Sequence, residues 1–312
     1  MPLRIVFMGT AELACASLKA LLASKDCVVV AAVTRPDRPQ GRNLRAQPPP
    51  VKAIAAEAGL RVLQPERARD PAFAAELRSL RPEVAVVAAY GQILPQAVLD
   101  LPRLGCINVH ASLLPKYRGA APIQWAILNN EPETGVSIMK MAAGLDTGDV
   151  LSQRATLIDP DETAAVLHDR LAALGAGLLA ATLPAYVAGA ITPRPQDNAA
   201  ATYARKITKE DGRLDWSLPA LELRNRTRAF TPWPGAFVSW SARDRPRLLK
   251  IWRASIEHRQ GRPGEVLRAD QTGLVIACGT DALRIEQLQL EGGRKMTTAE
   301  FLAGHTVKPG FF

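Results

Sequence analysis

The sequence predicts an α/β domain with a mostly parallel, Rossmann-like sheet, followed by a smaller all-β domain resembling an oligonucleotide-binding barrel. Three observations carry that prediction. The 312 residues exceed what one hydrophobic core usually organises. The first half alternates short β-branched runs with Ala- and Leu-rich helical stretches, the pattern of parallel strands joined by helical crossovers. Beyond about residue 205 the apolar runs become short and are separated by turn residues, as in a small barrel or sandwich.

Residues 4–8 predict the first strand, Gly9 and Thr10 a turn, and residues 11–23 a helix. Residues 28–33 carry almost no polar side chain, as a strand buried on both faces should. A basic, proline-containing stretch follows over 35–51, longer than a bare connector needs. Next come a helix over 51–58, a short strand over 61–63, a helix over 71–80 and strands over 84–88, 106–110 and 136–141. Residues 163–188 read as one long helix, started by Asp161 or by the Asp159–Pro160 turn. The polar stretch that follows has the composition of a linker, so the expected division is 1–189, a linker over 190–205, and 206–312. Strands are expected over 236–240, 248–252, 264–267, 274–277 and 283–290.

Composition excludes several classes. Apolar residues at 47% and charged residues at 22% are near soluble averages and leave no room for extended disorder. Glu12 and Lys19 interrupt the first apolar run, no other run approaches membrane-spanning length, and a cytoplasmic protein without membrane association is expected. Cys15, Cys27, Cys106 and Cys278 are scattered without metal-ligand spacing, so no metal site is expected. No internal repeat is present, and a monomer is expected.

Charge is uneven. Residues 1–200 carry 20 Lys and Arg against 18 Asp and Glu, whereas residues 201–312 carry 19 against 12, so most of the net +9 lies in the last third. Either a polyanionic partner such as nucleic acid or a solvated basic face accounts for this.

The densest chemistry runs from Asn108 to Arg118. Asn108 and His110, two apart at the end of an apolar strand, present their side chains on one face. The carboxyl edge of a parallel sheet is where open α/β folds bind ligands. An amide and an imidazole there can both donate to one developing oxyanion. Gly144-Leu145-Asp146-Thr147-Gly148 then places a carboxylate between glycines after the strand ending near Met141. An amide, an imidazole and a carboxylate suit acyl transfer to an amine. Taken singly, each has an ordinary structural alternative: a turn cap, a satisfied buried histidine, an Asx turn.

Taken together, these segments resemble the folate-dependent formyltransferase superfamily. The resemblance is carried by Phe7-Met8-Gly9-Thr10, the run from Thr34 to Arg42, Asn108-Val109-His110-Ala111-Ser112-Leu113-Leu114-Pro115 with Lys116-Tyr117-Arg118-Gly119, the Asp146 loop, and Thr231-Pro232-Trp233-Pro234-Gly235-Ala236. It implies that Asn108 and His110 polarise the formyl oxygen of 10-formyltetrahydrofolate while Asp146 orients His110 or relays a proton. It implies further that Ser112, Leu113, Leu114 and Pro115 line the folate site, with no metal required. The basic stretch and the basic C-terminal domain point to members that formylate methionine on initiator tRNA. By the same resemblance the stretch holding Arg38, Arg42 and Arg45 would enter the acceptor-stem groove; in the basic C-terminal domain Lys206 is a candidate phosphate contact. Arg213, Arg224, Arg226, Arg228, Arg294 and Lys295 are further phosphate candidates. Two departures stand out: Asn43 and Leu44 replace the usual Gly and Lys, shifting phosphate contact toward Arg45, and Ala11-Glu12-Leu13 replaces Pro-Asp-Phe.

Superfamily members acting on amino sugars or glycinamide nucleotides, or hydrolysing formylfolate, would share Asn108, His110 and Asp146 but need no basic β domain. A nucleotide-binding oxidoreductase is disfavoured because Met8-Gly9-Thr10-Ala11 lacks the Gly-x-Gly-x-x-Gly fingerprint.

Overall fold

In the computed structural model, which describes residues 2–40, 45–242 and 245–307, the first apolar run becomes strand β1 (Leu3–Gly9), buried from Ile5 onward. Helix α1 (Glu12–Ala23) buries Ala14, Leu18 and Leu21 and leads into β2 (Cys27–Val33), parallel to β1. Where the sequence predicts only a long loop, β3 (Arg38–Gln40) and β4 (Arg45–Gln47) pair as a short antiparallel ladder. Helix α2 (Pro50–Glu57) opens on proline, whose fixed φ suits the first turn and whose missing N–H is not needed there. After β5 (Val62–Leu63), Asp70 caps α3 (Pro71–Ser79) by accepting the Ala72 N–H at 2.9 Å. Then follow β6 (Val84–Ala88), α4 (Gln96–Leu99), β7 (Cys106–His110), β8 (Arg118–Gly119), α5 (Pro122–Leu128), β9 (Glu133–Lys140), β10 (Val150–Leu157) and α6 (Ala164–Val187).

The main sheet has the order β10-β9-β7-β6-β1-β2-β5. The strands from β7 to β5 are parallel, while β9 runs antiparallel to β7 and β10 antiparallel to β9. From β1 the chain moves outward through β2 and β5, then returns to β6 on the other side. This puts the topological switch point between β1 and β6, where a ligand crevice is expected. Thr10 Oγ1 donates to the Tyr90 carbonyl across it at 2.7 Å. Val6, Met8, Phe73, Leu77, Val87 and Val98 form part of one core beneath the sheet.

Several features depart from the sequence reading. Strand β10 carries Ser152, Gln153 and Arg154, and as a partly exposed edge strand it lacks the apolar run that betrays its neighbours. Helix α6 is long and apolar enough by length and composition to cross a membrane, against the expectation that no run reaches that length. Its Leu171, Leu178, Leu179 and Leu183 are buried within the protein. The stretch 190–205 is also more than a polar connection. Arg194 exchanges backbone hydrogen bonds with Val150 at 2.8 and 2.9 Å, and β11 (Tyr203–Ala204) pairs with β8.

The chain divides into two compact units, the second made of residues 123–132, 158–167 and 205–312. It contains α7 (Ala220–Ala229), β12 (Ala236–Ala242), β13 (Arg245–Glu257), β14 (Val266–Asp270), β15 (Gly273–Ala277), β16 (Ala282–Leu290), β17 (Met296–Thr297) and α8 (Thr298–Gly304). The antiparallel sheet runs β12-β13-β16-β15-β14, with β17 beside β16. Trp240, Leu249, Ile251, Leu283, Leu288 and Phe301 belong to its core. The two helices are additions to the expected strands. Helix α7 escapes a periodicity search because polar Asn225, Thr227 and Arg228 lie on its buried face. Arg228 there donates to the carbonyls of Glu162 and Asp159 at 3.0 and 3.1 Å and to Asn225 Oδ1 at 2.9 Å. A capping box between Thr297 and Glu300 starts α8.

Candidate active site at the carboxyl edge of the parallel sheet

Strand alternation turns Asn108 and His110 to the same side of β7, and the loop after β9 delivers Asp146 to both. Asn108 Nδ2 donates to Asp146 Oδ1 at 3.4 Å. Asp146 Oδ2 accepts the Gly119 N–H at 2.8 Å and lies 3.7 Å from His110 Nδ1. That last separation is too long for a hydrogen bond but keeps the ring and the carboxylate in electrostatic contact.

The tautomer of His110 follows from its other nitrogen. His110 is 6% exposed, and its Nε2 lies 2.9 Å from the Tyr117 carbonyl oxygen. A carbonyl only accepts, so Nε2 carries a hydrogen and Nδ1 is the nitrogen turned toward Asp146. A proton taken up at Nδ1 therefore arrives beside a carboxylate.

The loop geometry depends on left-handed backbone. Asp146 has φ 50°, a conformation Asp tolerates, and Tyr117 and Ala89 at the same edge have φ 59° and 43°. Glycine is required at two close approaches. A Cβ at Gly148 would run into the Lys140 carbonyl, and one at Gly119, where φ is 121°, would stand 2.6 Å from the Ala204 carbonyl oxygen.

Four residues outside the expected trio hold it together. Arg118, only 2% exposed, donates from Nε and Nη2 to Gln196 Oε1 at 3.1 and 2.9 Å, and from Nη2 to Asn198 Oδ1 at 2.9 Å. Gln196 Nε2 in turn donates to the carbonyls of Asp146 and Gly148. Tyr117 contributes the carbonyl that fixes His110. The Arg118 run is visible in the sequence as a motif without a role. Gln196 and Asn198 carry no local signal, because their partners lie far away in the chain.

The expected folate residues divide. Ser112 is fully buried and its Oγ donates to the Lys116 carbonyl at 2.7 Å, so its hydroxyl is committed inside the loop. Leu114 is buried with Met139 and Val150, its N–H donating to Ser137 Oγ at 3.0 Å, while Leu113 and Pro115 are half-buried. At the nearby switch point the Tyr90 hydroxyl is buried without a hydrogen-bond partner among the described residues. Burial pushes its pKa up to about 12, so it stays a neutral donor. Of the expected RNA contacts, Arg38 and Lys206 are exposed, Arg42 lies outside the described residues, and so does the side chain of Arg45. Among the described residues no group of three or more His, Cys, Asp or Glu side chains could hold a metal.

The chain is similar to known proteins over nearly its full length. Residues 3–183 match the formyl transferase family and residues 206–306 the formyl transferase C-terminal domain. The methionyl-tRNA formyltransferase of Geobacter sulfurreducens is 48% identical over 99% of this chain and 96% of its own. That of Myxococcus xanthus is 51% identical over 98% of this chain and 96% of its own. An N-formyltransferase from Helicobacter canadensis, solved with folinic acid and dTDP-3-aminofucose, shares the fold at a TM-score of 0.66 with 18% identity, covering 91% of this chain and 99% of its own. Two consecutive family matches and full-length identity near one half leave one assignment: the chain belongs to the formyl transferases and, within them, to the methionyl-tRNA formyltransferase family.

Proposed function

We propose that the protein transfers the formyl group of 10-formyltetrahydrofolate to the α-amino group of methionine carried by initiator tRNA. The observation that carries this reading is the 48% and 51% identity, over nearly the full length, to methionyl-tRNA formyltransferases. The Asn108, His110 and Asp146 cluster supports it with suitable chemistry.

The reaction breaks the bond between the formyl carbon and N10 of the folate and makes a bond from that carbon to the amine. The amine loses a proton and N10 gains one. An α-amine has a reference pKa of about 7.7 to 8.0, so a usable neutral fraction exists near pH 7 without a strong base. Asn108 donates to the formyl oxygen as it becomes an oxyanion, and a protonated His110 beside Asp146 supplies positive charge to the same intermediate. A donor such as Asn108 is worth about 10²- to 10³-fold in rate, while His110, whose ring nitrogens face the Tyr117 carbonyl and Asp146, acts through its charge. Asp146, reached by both Asn108 and His110, relays the proton toward the leaving N10.

Leu113, Pro115 and the backbone around Ser112 line the folate side of the crevice. Arg38, Arg42, Arg45 and Lys206 contact tRNA phosphate. Such a protein works in the cytoplasm, beside the translation apparatus. The deciding assay measures formyl transfer from labelled 10-formyltetrahydrofolate to charged initiator tRNA, to charged elongator tRNA and to an amino-sugar nucleotide. Transfer to the initiator alone is expected; transfer to the sugar nucleotide and not to tRNA would overturn the reading.

A further inference from the structure

We propose that Lys250 and Lys295, gathered on the indole of Trp252, form a phosphodiester contact site for RNA on the sheet of the second unit. The inference rests on the tRNA reading above and names where in this unit the RNA backbone is held.

The geometry begins with an irregularity. Ile251 pairs with Leu288 and Arg253 with Gln287, so Trp252 is the extra residue of a bulge in β13. Bulges re-aim side chains. Trp252 Nε1 donates to Gln289 Oε1 at 3.0 Å, and Gln289 Nε2 donates to the Gly293 carbonyl at 2.8 Å. One glutamine thus ties the indole to the turn that carries Lys295. The Lys295 ammonium lies 3.7 Å from the indole centroid, and the Lys250 ammonium 5.4 Å from it while donating to the Pro234 carbonyl at 3.3 Å.

Charge pairing then separates these two lysines from most of their neighbours. Arg224, Arg226, Arg253, Arg268 and Arg294 each have a carboxylate oxygen within 2.8 Å. Arg228 is buried on backbone carbonyls. Four of the sequence candidates, Arg224, Arg226, Arg228 and Arg294, are therefore engaged inside the protein. Among the described residues neither Lys250 nor Lys295 has a carboxylate within 4.0 Å. An indole face holds an ammonium in place without neutralising it, leaving its charge and N–H groups for an anion. Two such cations at one ring, in a region carrying 19 basic against 12 acidic residues, fit the closely spaced charges of a nucleic-acid backbone.

The test uses the full-length protein and charged initiator tRNA, with affinity measured against salt concentration. Each phosphate contact contributes about 0.7 to 0.9 to the slope of log K against log salt. Replacing both Lys250→Gln and Lys295→Gln should lower the slope by about 1.4 to 1.8 and raise the KM for tRNA. Restoring charge with Lys250→Arg and Lys295→Arg should recover the slope. An equal loss of charge at Arg259→Gln and Arg284→Gln, both beside Glu257, should not change it. An unchanged slope in the Lys250 and Lys295 double variant, or an equal drop in the Arg259 and Arg284 variant, would overturn the site. If the wild type transfers formyl to tRNA in that case, the proposed function still stands. A wild type that formylates no tRNA overturns the proposed function itself. Loss of Trp252 emission change on tRNA addition in Trp252→Phe is a second expected readout; an undiminished change in that variant counts against the site.

Discussion

Gln196 Nε2 donates to the carbonyl oxygens of Asp146 and Gly148 at 2.8 and 2.7 Å, using both hydrogens of one amide to clamp the loop that carries the candidate carboxylate. Its Oε1 is held in turn by buried Arg118. Asp146 sits at φ 50°, a left-handed conformation that Asp tolerates and that the clamp on its carbonyl holds in place.

Gln196→Glu separates the two halves of this clamp. The carboxylate keeps Arg118 as partner but has no hydrogen to give the two carbonyls. Formyl transfer should fall about 10- to 100-fold in kcat, the range expected when a catalytic group is misplaced by about an ångström. KM for both substrates should stay near the wild-type value. A kcat equal to wild type would show that Asp146 holds its place without Gln196.

Asn108→Ala and His110→Ala remove the two proposed oxyanion-side groups. Each should cost about 10²- to 10³-fold in kcat while tRNA affinity is unchanged, because neither is required to hold the RNA. His110→Gln is the more informative replacement. It can reach toward the Tyr117 carbonyl but cannot supply positive charge beside Asp146, so a loss of kcat close to that of His110→Ala is the expected signature. Wild-type rates in any of the three would remove the proposed mechanism.

The parallel core is legible because buried strands such as 84–88 and 106–110 are continuous apolar runs, and Asn108, His110 and Asp146 are legible only as a set, through the spacing that carries the family resemblance. What stayed hidden follows one physical rule. Gln196, Asn198 and Arg118 act through partners up to 80 residues away, and nothing in local composition distinguishes a buttress from a linker. Strand β10 and helix α7 were missed for a related reason: one is a half-exposed edge, and the other buries polar side chains that only a distant segment can satisfy. In the C-terminal third the number of basic residues was readable, but which are neutralised by carboxylates was not.

Arg228 is the clearest stability probe. It is 8% exposed and its guanidinium satisfies the carbonyls of Asp159 and Glu162, joining α7 to the 158–167 segment of the same unit. Arg228→Met keeps much of the volume but takes the guanidinium away from both carbonyls and from Asn225 Oδ1. About 3 kcal/mol or more of destabilisation is expected from three lost charge-assisted hydrogen bonds, read as a lower midpoint in denaturant. A variant as stable as wild type would mean that water replaces the guanidinium without loss. By the same contacts, a chain ended at residue 205 should lose stability as well as tRNA affinity.

The four cysteines should be unequal toward thiol reagents. Burial pushes the thiol of Cys106 up to about 12 and those of Cys15 and Cys278 to about 11, while Cys27 is also raised but half-buried. The thiolate is the reactive form, so at pH 8 the native protein should show slow labelling at Cys27 alone, and all four should react in denaturant. Fast labelling of Cys106 in native conditions would contradict the packing of β7.

Acid sensitivity of the second unit should centre on Asp211. The Arg205 guanidinium bonded to its carboxylate, together with the Thr208 N–H and hydroxyl, holds its pKa well below the usual carboxylate range. A group whose folded pKa is depressed stabilises the fold above its unfolded value, near 3.9, and loses that contribution as pH falls toward the folded value. Asp211→Asn should therefore melt below wild type at pH 7, where the wild-type carboxylate is charged in both states. The gap should persist down to about pH 4 and narrow as pH falls further, since protonating the wild-type carboxyl costs it the advantage the variant lacks. Melting curves of both proteins between pH 7 and pH 2.5 measure this directly. A gap that stays constant across that range would mean that Asp211 stabilises through hydrogen-bond geometry alone, with its charge contributing nothing.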